Sequence, residues 1–149
     1  MSHYSLAQKP AALSKWAREI VKSFEFNEIK DPVLVYRGMS GIACATALSL
    51  ALQEKKINCS MIYVRKPEEI SHGNPIEFYG EGCIANEYCS KELVSISGTL
   101  VFVDDFIVEG ATKEACWEAI KSYTSNQFFE YGALHGSAWD RTNFLTDWT

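Results

Sequence analysis

Residues 99–105 constrain the fold more than any other stretch of this chain. Thr99-Leu100-Val101-Phe102-Val103 runs apolar without alternation and stops at Asp104-Asp105. A strand with one wet face alternates apolar and polar residues, whereas a strand covered on both faces does not. Val33-Leu34-Val35-Tyr36 has the same character, and Ser60 to Val64 is a third run of the kind. The intervening segments have helical spacing. Leu13, Trp16, Ala17, Ile20, Val21 and Phe24 share one face, with Lys15, Arg18, Glu19 and Lys22 outside it, so Leu13 to Phe24 is predicted to be a helix with Trp16 in the core. Ile42 to Lys55 is so rich in Ala and Leu that most of it is predicted to be buried. Thr112 to Tyr123 returns to helical spacing with Ala115, Cys116, Ala119 and Ile120 inward. Apolar strands alternating with helices predict an α/β fold in three layers, a mostly parallel central sheet flanked by helices. A length of 149 residues suits one domain with a core of its own, so 1–149 is read as a single domain.

Between these elements the chain breaks and turns. Asp31-Pro32 interrupts the first helix from the first strand, and Arg37 to Gly41 reads as a small-residue turn. Arg65 to Gly82 holds two prolines, three glycines and mixed charges, and reads as a long loop with a short hairpin at Pro75 to Tyr79. Loops of that length inside a domain are more often functional than idle. Cys83 to Leu93 reads as a short helix or a turn, Gln127 to Leu134 as a last strand, and His135 to Thr149 as an irregular tail carrying Trp139, Phe144 and Trp148.

Composition excludes several classes of partner. Fourteen Lys and Arg against nineteen Asp and Glu leave a net charge of −5, which argues against duplex nucleic acid held on a basic surface. A small anion held by a few local residues remains compatible with it. No run of 18 apolar residues is present to span a membrane, and the first ten residues lack the layout of a signal peptide. Five cysteines, an odd number without a CxxC pair, predict free thiols in a reducing cytoplasm. Cys44 and Cys116 are expected to be small buried hydrophobes. Cys83 and Cys89 with His72 fit no common zinc spacing.

In open α/β sheets, ligands bind beyond the carboxyl ends of the strands. Here those ends are Arg37 to Gly41, Arg65 to Gly82, and Asp104 to Thr112. In the last, two acids leave the strand tip and Gly110-Ala111-Thr112 opens into a helix. Backbone N–H groups at such a turn and helix start favour an anion, and the Thr112 hydroxyl adds a donor. The acids are placed to accept hydrogen bonds from a sugar diol or to hold a divalent cation through it. An anion cradle beside a diol reader fits a sugar phosphate.

This segment resembles the signature of type I phosphoribosyltransferases: an apolar strand, two acids, a short apolar loop and Gly-x-Thr. The resemblance implies that Asp104 and Asp105 contact the ribose hydroxyls of phosphoribosyl pyrophosphate and, through them, Mg²⁺. It implies that Val108, Glu109, Gly110, Ala111 and Thr112 cradle the 5-phosphate. Val35-Tyr36-Arg37-Gly38-Met39-Ser40-Gly41 resembles the pyrophosphate loop of the adenine enzymes, and Val64-Arg65-Lys66-Pro67 the stretch that enters their mobile loop. Ile76 to Gly80 is loosely similar to a later Leu-Glu-Tyr-Gly of the same enzymes, and Ser71-His72-Gly73 to the loop of the orotate enzymes. The blocks occur in the family's order over roughly residues 32–123. Arg37, Gly38 and Lys66 are thereby implied in pyrophosphate binding, with Arg37, Lys66 and Glu77 as catalytic candidates. The implied reaction moves ribose 5-phosphate to a nitrogenous, purine-like base. Pyrophosphate leaves through an oxocarbenium-like transition state, with Mg²⁺ and cations neutralising its charge. Closure of a long mobile loop over residues 66–82 would exclude water. A cytoplasmic homodimer completes what the resemblance implies.

The sequence departs from the family's patterns at three places. Glu109 stands where members commonly carry a Thr or another small residue, and a carboxylate 4 Å from a phosphate charge is repulsive by ~4 kcal/mol at an effective dielectric of 20. Either Glu109 turns to solvent and offers its N–H alone, or phosphate binding is impaired. The hood that covers the base is small and must come from residues 1–30 or from the tail. Val108 stands where the hypoxanthine-guanine enzymes carry an acid, which argues against that subfamily. A rival reading is a non-catalytic protein of the same fold that binds a nucleotide or sugar phosphate as a sensor or regulator. An unrelated α/β nucleotide-binding or phospho-receiver domain would need its acid cluster on other strands, and the first strand supplies none.

Overall fold

A computed structural model of the chain describes residues 10–26, 29–68, 76–79, 83–86, 89–104 and 111–125. Helix α1 spans Pro10–Phe26, strand β1 Pro32–Tyr36, helix α2 Gly38–Glu54 and strand β2 Ser60–Val64. Strands β3 (Ile76–Tyr79), β4 (Cys83–Asn86), β5 (Cys89–Ile96) and β6 (Thr99–Phe102) follow. Helix α3 (Ala111–Ile120) runs into a 3₁₀ turn at Lys121–Tyr123. The main sheet has the order β3-β2-β1-β6. β1 pairs in parallel with β2 and with β6, while β3 joins β2 antiparallel. The sheet is therefore mixed: β2, β1 and β6 are parallel, and β3 at one edge is antiparallel.

The sheet is covered on both faces, which explains its unbroken apolar runs. All five residues of β1 are buried. On one face Leu34, Tyr36, Val101 and Val103 meet Trp16, Ala17, Ile20, Val21 and Phe24 of α1 and Cys44, Ala45, Leu48 and Leu52 of α2. On the other, Val33, Val35, Leu100 and Phe102 meet Cys116 and Ile120 of α3. Successive strand residues alternate between two apolar layers, not between a core and water. Trp16 is fully buried, as predicted, and so are Cys44 and Cys116. Burial of α2 is confined to one side. Gly41, Cys44, Ala45, Leu48, Ala51 and Leu52 face inward, whereas Met39, Ile42 and Leu50 remain exposed. Helix α1 packs in the core through Trp16, Ala17, Ile20, Val21 and Phe24.

Two parts of the chain differ from the sequence reading. The first helical turn of α2 begins at Gly38, not Ile42, because Gly38 takes a left-handed φ of +78° and the chain passes straight from β1 into the helix. Cys83 to Leu93, read as a short helix or turn, forms β4 and most of β5, a two-stranded antiparallel ribbon. Ile84 faces Ser95 while Ala85 faces Leu93, so Val94 is an extra residue on β5. A bulge of this kind breaks the period of two. Leu93 and Ile96, three apart, both pack against the same apolar cluster, and the alternation by which a strand is recognised is lost. The predicted hairpin at 75–79 is one strand, β3, whose partner is β2. Gln127 to Leu134 and the aromatic tail lie outside the described residues.

At the opposite end of the sheet from the candidate site, β1 and β6 enter side by side. Thr99 donates its N–H to the Asp31 carbonyl at 3.2 Å and its hydroxyl to the Lys30 carbonyl at 3.0 Å. Gly98 makes that approach possible: its φ is +96°, and a Cβ there would fall 2.3 Å from the Asp31 carbonyl oxygen. Gly98→Ala must move backbone and adopt a left-handed conformation, so it is expected to cost on the order of 2–3 kcal/mol of stability. Urea unfolding measures this, and an unchanged midpoint would show that the turn is not constrained.

Candidate active site at the carboxyl ends of the strands

The carboxyl ends of β1, β2 and β6 lie side by side because these strands are parallel neighbours. The Val103 N–H donates to the Val35 carbonyl at 2.9 Å, so β6 stays in register with β1 up to the residue before Asp104. The first turn of α2 sits over this edge and touches both flanking strands. A Cβ at Gly38 would lie 3.5 Å from Cε and Nζ of Lys66, just past β2. A Cβ at Gly41 would lie 3.4 Å from the Tyr36 Cβ and 3.9 Å from the Val103 carbonyl oxygen. The two glycines thus let the helix start descend between the Lys66 side of the site and the Asp104 side.

This arrangement concentrates positive potential. The first N–H groups of a helix have no partner within it and carry the positive end of its dipole. Arg37, the residue before α2, is extended and makes no side-chain cap bond to them. Lys66 brings an ammonium beside this helix start, and a cation and a helix N-terminus together favour an anion. Lys113 adds a further cation in the first turn of α3, one the sequence reading did not single out. Burial pulls its ammonium below the usual lysine range, with the Glu114 carboxylate opposing that shift. Nothing in the sequence marks Lys113 apart from its place directly after Thr112.

Arg37 and Glu77 do not project as isolated charges. Arg37 Nε donates to the Val64 carbonyl at 3.3 Å and its Nη2 to the Arg65 carbonyl at 2.8 Å. Glu77, paired in register with Tyr63, accepts a 2.8 Å hydrogen bond from Arg65 Nη2. That ion pair is partly sheltered, with Arg65 only 14% exposed. Asp104 is half-buried. The positive charge of Arg37 and the negative charge of Asp104 both act on the Cys116 thiol on α3. Burial dominates there and pushes the thiol up to about 12, with Arg37 lowering it and Asp104 raising it.

Of the residues singled out from the sequence, the described structure brings Arg37, Gly38, Lys66 and Asp104 to one edge. Ala111 and Thr112 lie at the start of α3, beyond the end of the strand that carries Asp104. Asp105, Val108, Glu109, Gly110 and His72 lie outside the described residues. Among the described residues no group of three His, Cys, Asp or Glu side chains converges. Asp104 offers a carboxylate at this edge that could meet a divalent cation through ligand oxygens, as Mg²⁺ sites commonly do. No helix of the described residues is long and apolar enough to cross a membrane.

No family model matches the sequence, and no curated protein matches it. The fold is similar to that of the crystal structure of orotate phosphoribosyltransferase from Francisella tularensis, with a TM-score of 0.55 and 14% sequence identity. The likeness covers 78% of this chain and 48% of that one, so this chain spans about half the length of its structural neighbour. At this identity the likeness is one of fold: an α/β architecture of the phosphoribosyltransferase type.

The Cys116 assignment has a direct chemical consequence. The folded chain holds this proton more tightly than the unfolded chain, whose thiol titrates near 9. That contribution to stability is complete below pH 9 and is lost as the pH rises towards 12. Under native conditions at pH 8, iodoacetamide is expected to leave Cys116 unmodified, and the same thiol to react once urea unfolds the chain. Peptide mass spectrometry reads both; rapid native labelling of Cys116 contradicts the assignment.

Proposed function

We propose that this chain is a phosphoribosyltransferase that moves ribose 5-phosphate from phosphoribosyl pyrophosphate to a nitrogenous base. The observation that carries the reading is the convergence of Lys66 and the first turn of α2, to which Arg37 makes no side-chain cap bond, beside the strand end that leads to Asp104. A pyrophosphate group suits the positive side of this edge, and a ribose diol suits the carboxylate side. The phosphoribosyltransferase-type fold and the Asp104 to Thr112 motif support the same reading.

In this reading Asp104 and Asp105 accept hydrogen bonds from the ribose 2- and 3-hydroxyls. Residues 108–112 hold the 5-phosphate on the backbone N–H groups at the start of α3 and on the Thr112 hydroxyl. Lys66 and the Gly38 turn neutralise the pyrophosphate as the bond to the anomeric carbon breaks, where negative charge grows on the leaving oxygen. Asp104 and Asp105, through the ribose, would be the residues that hold Mg²⁺, which would supply further neutralisation of that charge. The Val35–Gly41 and Val64–Pro67 motifs favour a purine as the acceptor, while the structural neighbour is named for orotate, so both belong in a screen. The reading also carries a cytoplasmic setting and a homodimer.

Calorimetry with phosphoribosyl pyrophosphate and Mg²⁺ is expected to show binding, and Asp104→Asn combined with Asp105→Asn to weaken it at least about tenfold, since bonds to charged groups contribute ~1.5–3 kcal/mol. Absence of binding at millimolar ligand would end this reading. Glu109→Thr is expected to tighten binding if the carboxylate faces the phosphate, whereas unchanged affinity places it in solvent. Pyrophosphate release in the presence of adenine, hypoxanthine or orotate identifies the base. Binding without release for any base favours a sensor, the alternative that Glu109 and the small hood favour.

A further inference from the structure

We infer that Arg37 and Glu77 are positioning residues that hold Lys66 over the Gly38 turn, and that neither contacts the ligand itself. The inference rests on the proposed anion site and assigns its charges differently from the motif. By motif, Arg37 belongs to the pyrophosphate loop and would be expected to bind pyrophosphate. Its guanidinium is instead committed to the backbone of the neighbouring strand end. Val64 and Arg65 lie beyond the last register pair of the β1–β2 ladder, Tyr36 with Tyr63. Arg37 meets the carbonyls of both with Nε and Nη2, at 3.3 and 2.8 Å. In effect the side chain extends the ladder by two residues past the end of β1.

The second restraint comes from the other side of β2. Arg65 carries the carbonyl that Arg37 holds, and its own side chain is held by Glu77 at 2.8 Å. Glu77 lies on β3, opposite Tyr63. Residue 65 is therefore fixed at its carbonyl from β1 and at its guanidinium from β3. Lys66 is the next residue, and its Nζ lies where a methyl group on Gly38 would come within 3.5 Å. A flexible lysine stem loses rotamer entropy whenever it is ordered on a ligand. Fixing the backbone that carries it reduces what remains to be ordered on binding, which is the benefit of a preorganised site. Bonds from a guanidinium to two carbonyls and to a carboxylate define a direction as well as a distance, so they suit this task better than apolar contacts.

A double-mutant cycle separates the two roles, because residues acting through one another are non-additive while independent contacts add. The probe is inorganic pyrophosphate with Mg²⁺, measured by calorimetry on the full chain. Lys66→Met is expected to weaken binding roughly ten- to a hundredfold, the range for one charge-assisted bond. Arg37→Met is expected to weaken it about fivefold in the wild-type background and less than twofold when Lys66 is already Met. Glu77→Leu is expected to behave like Arg37→Met, and Glu77→Gln, which keeps the acceptor oxygen, to retain most of the affinity. Arg37→Lys, which still donates to a carbonyl, is expected to recover part of what Arg37→Met loses and provides the second variant if Met at 37 impairs folding. A ligand-free readout accompanies the cycle: the Gly38 amide resonance is expected to shift in Glu77→Leu, although Glu77 bonds to Arg65 and not to Gly38. An Arg37→Met loss that stays fivefold in the Lys66→Met background would show direct contact with the anion and overturn the inference. An unmoved Gly38 resonance in Glu77→Leu overturns it too. Failure of the wild-type chain to bind either pyrophosphate or phosphoribosyl pyrophosphate overturns the proposed function, while the Gly38 resonance still reports on the positioning.

Discussion

β1 is paired along both edges and covered on both faces, and the candidate site depends on that burial. Because β2 and β6 run parallel to it, their carboxyl ends emerge on the same side of the sheet. A polar residue within Val33–Tyr36 would face an apolar layer on one side or the other and remain unsatisfied. Helix α2 leaves β1 after a single residue, Arg37, so the burial of the strand also fixes where the helix starts. Two glycines complete this: Gly38 through its left-handed backbone, and Gly41 through its close packing on Tyr36 and Val103.

The site is built on the ends of rigid elements, and its charges are unequally distributed around them. Positive potential gathers around the first turn of α2 and Lys66, while Asp104 is half-buried at the neighbouring strand end. That polarity matches a ligand with a multiply charged phosphate at one end and hydroxyls at the other. Arg37 stands between the two regions, yet its bonds run to the backbone of the β2 end. Its charge still matters electrostatically, since it acts on the Cys116 thiol together with Asp104. A single side chain can therefore shape the potential of a site and brace its framework without being a ligand.

The sequence and the three-dimensional structure agree where burial alone decides. The three apolar strands, the amphipathic first helix with Trp16 at its centre and the two buried cysteines were readable because apolar periodicity reports the surroundings of a residue directly. The α2 start was misread because Gly38-Met39-Ser40-Gly41 has the composition of a turn, and the glycines are used for close packing and a left-handed entry instead. The β4–β5 ribbon is not legible because two register irregularities, one at Val94 and one between Ala85 and Asn86, interrupt its alternation. Both errors arise at positions where backbone geometry departs from the regular repeat that the reading relies upon.

By itself the sequence determined the layer order, the parallel core and the placement of Asp104 and Thr112 at the edge of a strand and the start of a helix. Those features follow from local runs of residues, and the physical chemistry of burial acts on each run separately. The tertiary structure decided what the charged side chains do. Arg37 meets carbonyls 27 and 28 residues away, and Glu77 meets an arginine 12 residues away. Such bonds depend on which strands become neighbours and in which register. A motif names the residue type at a position, but the direction in which a long charged side chain points is set by the donors and acceptors that the rest of the fold brings to it.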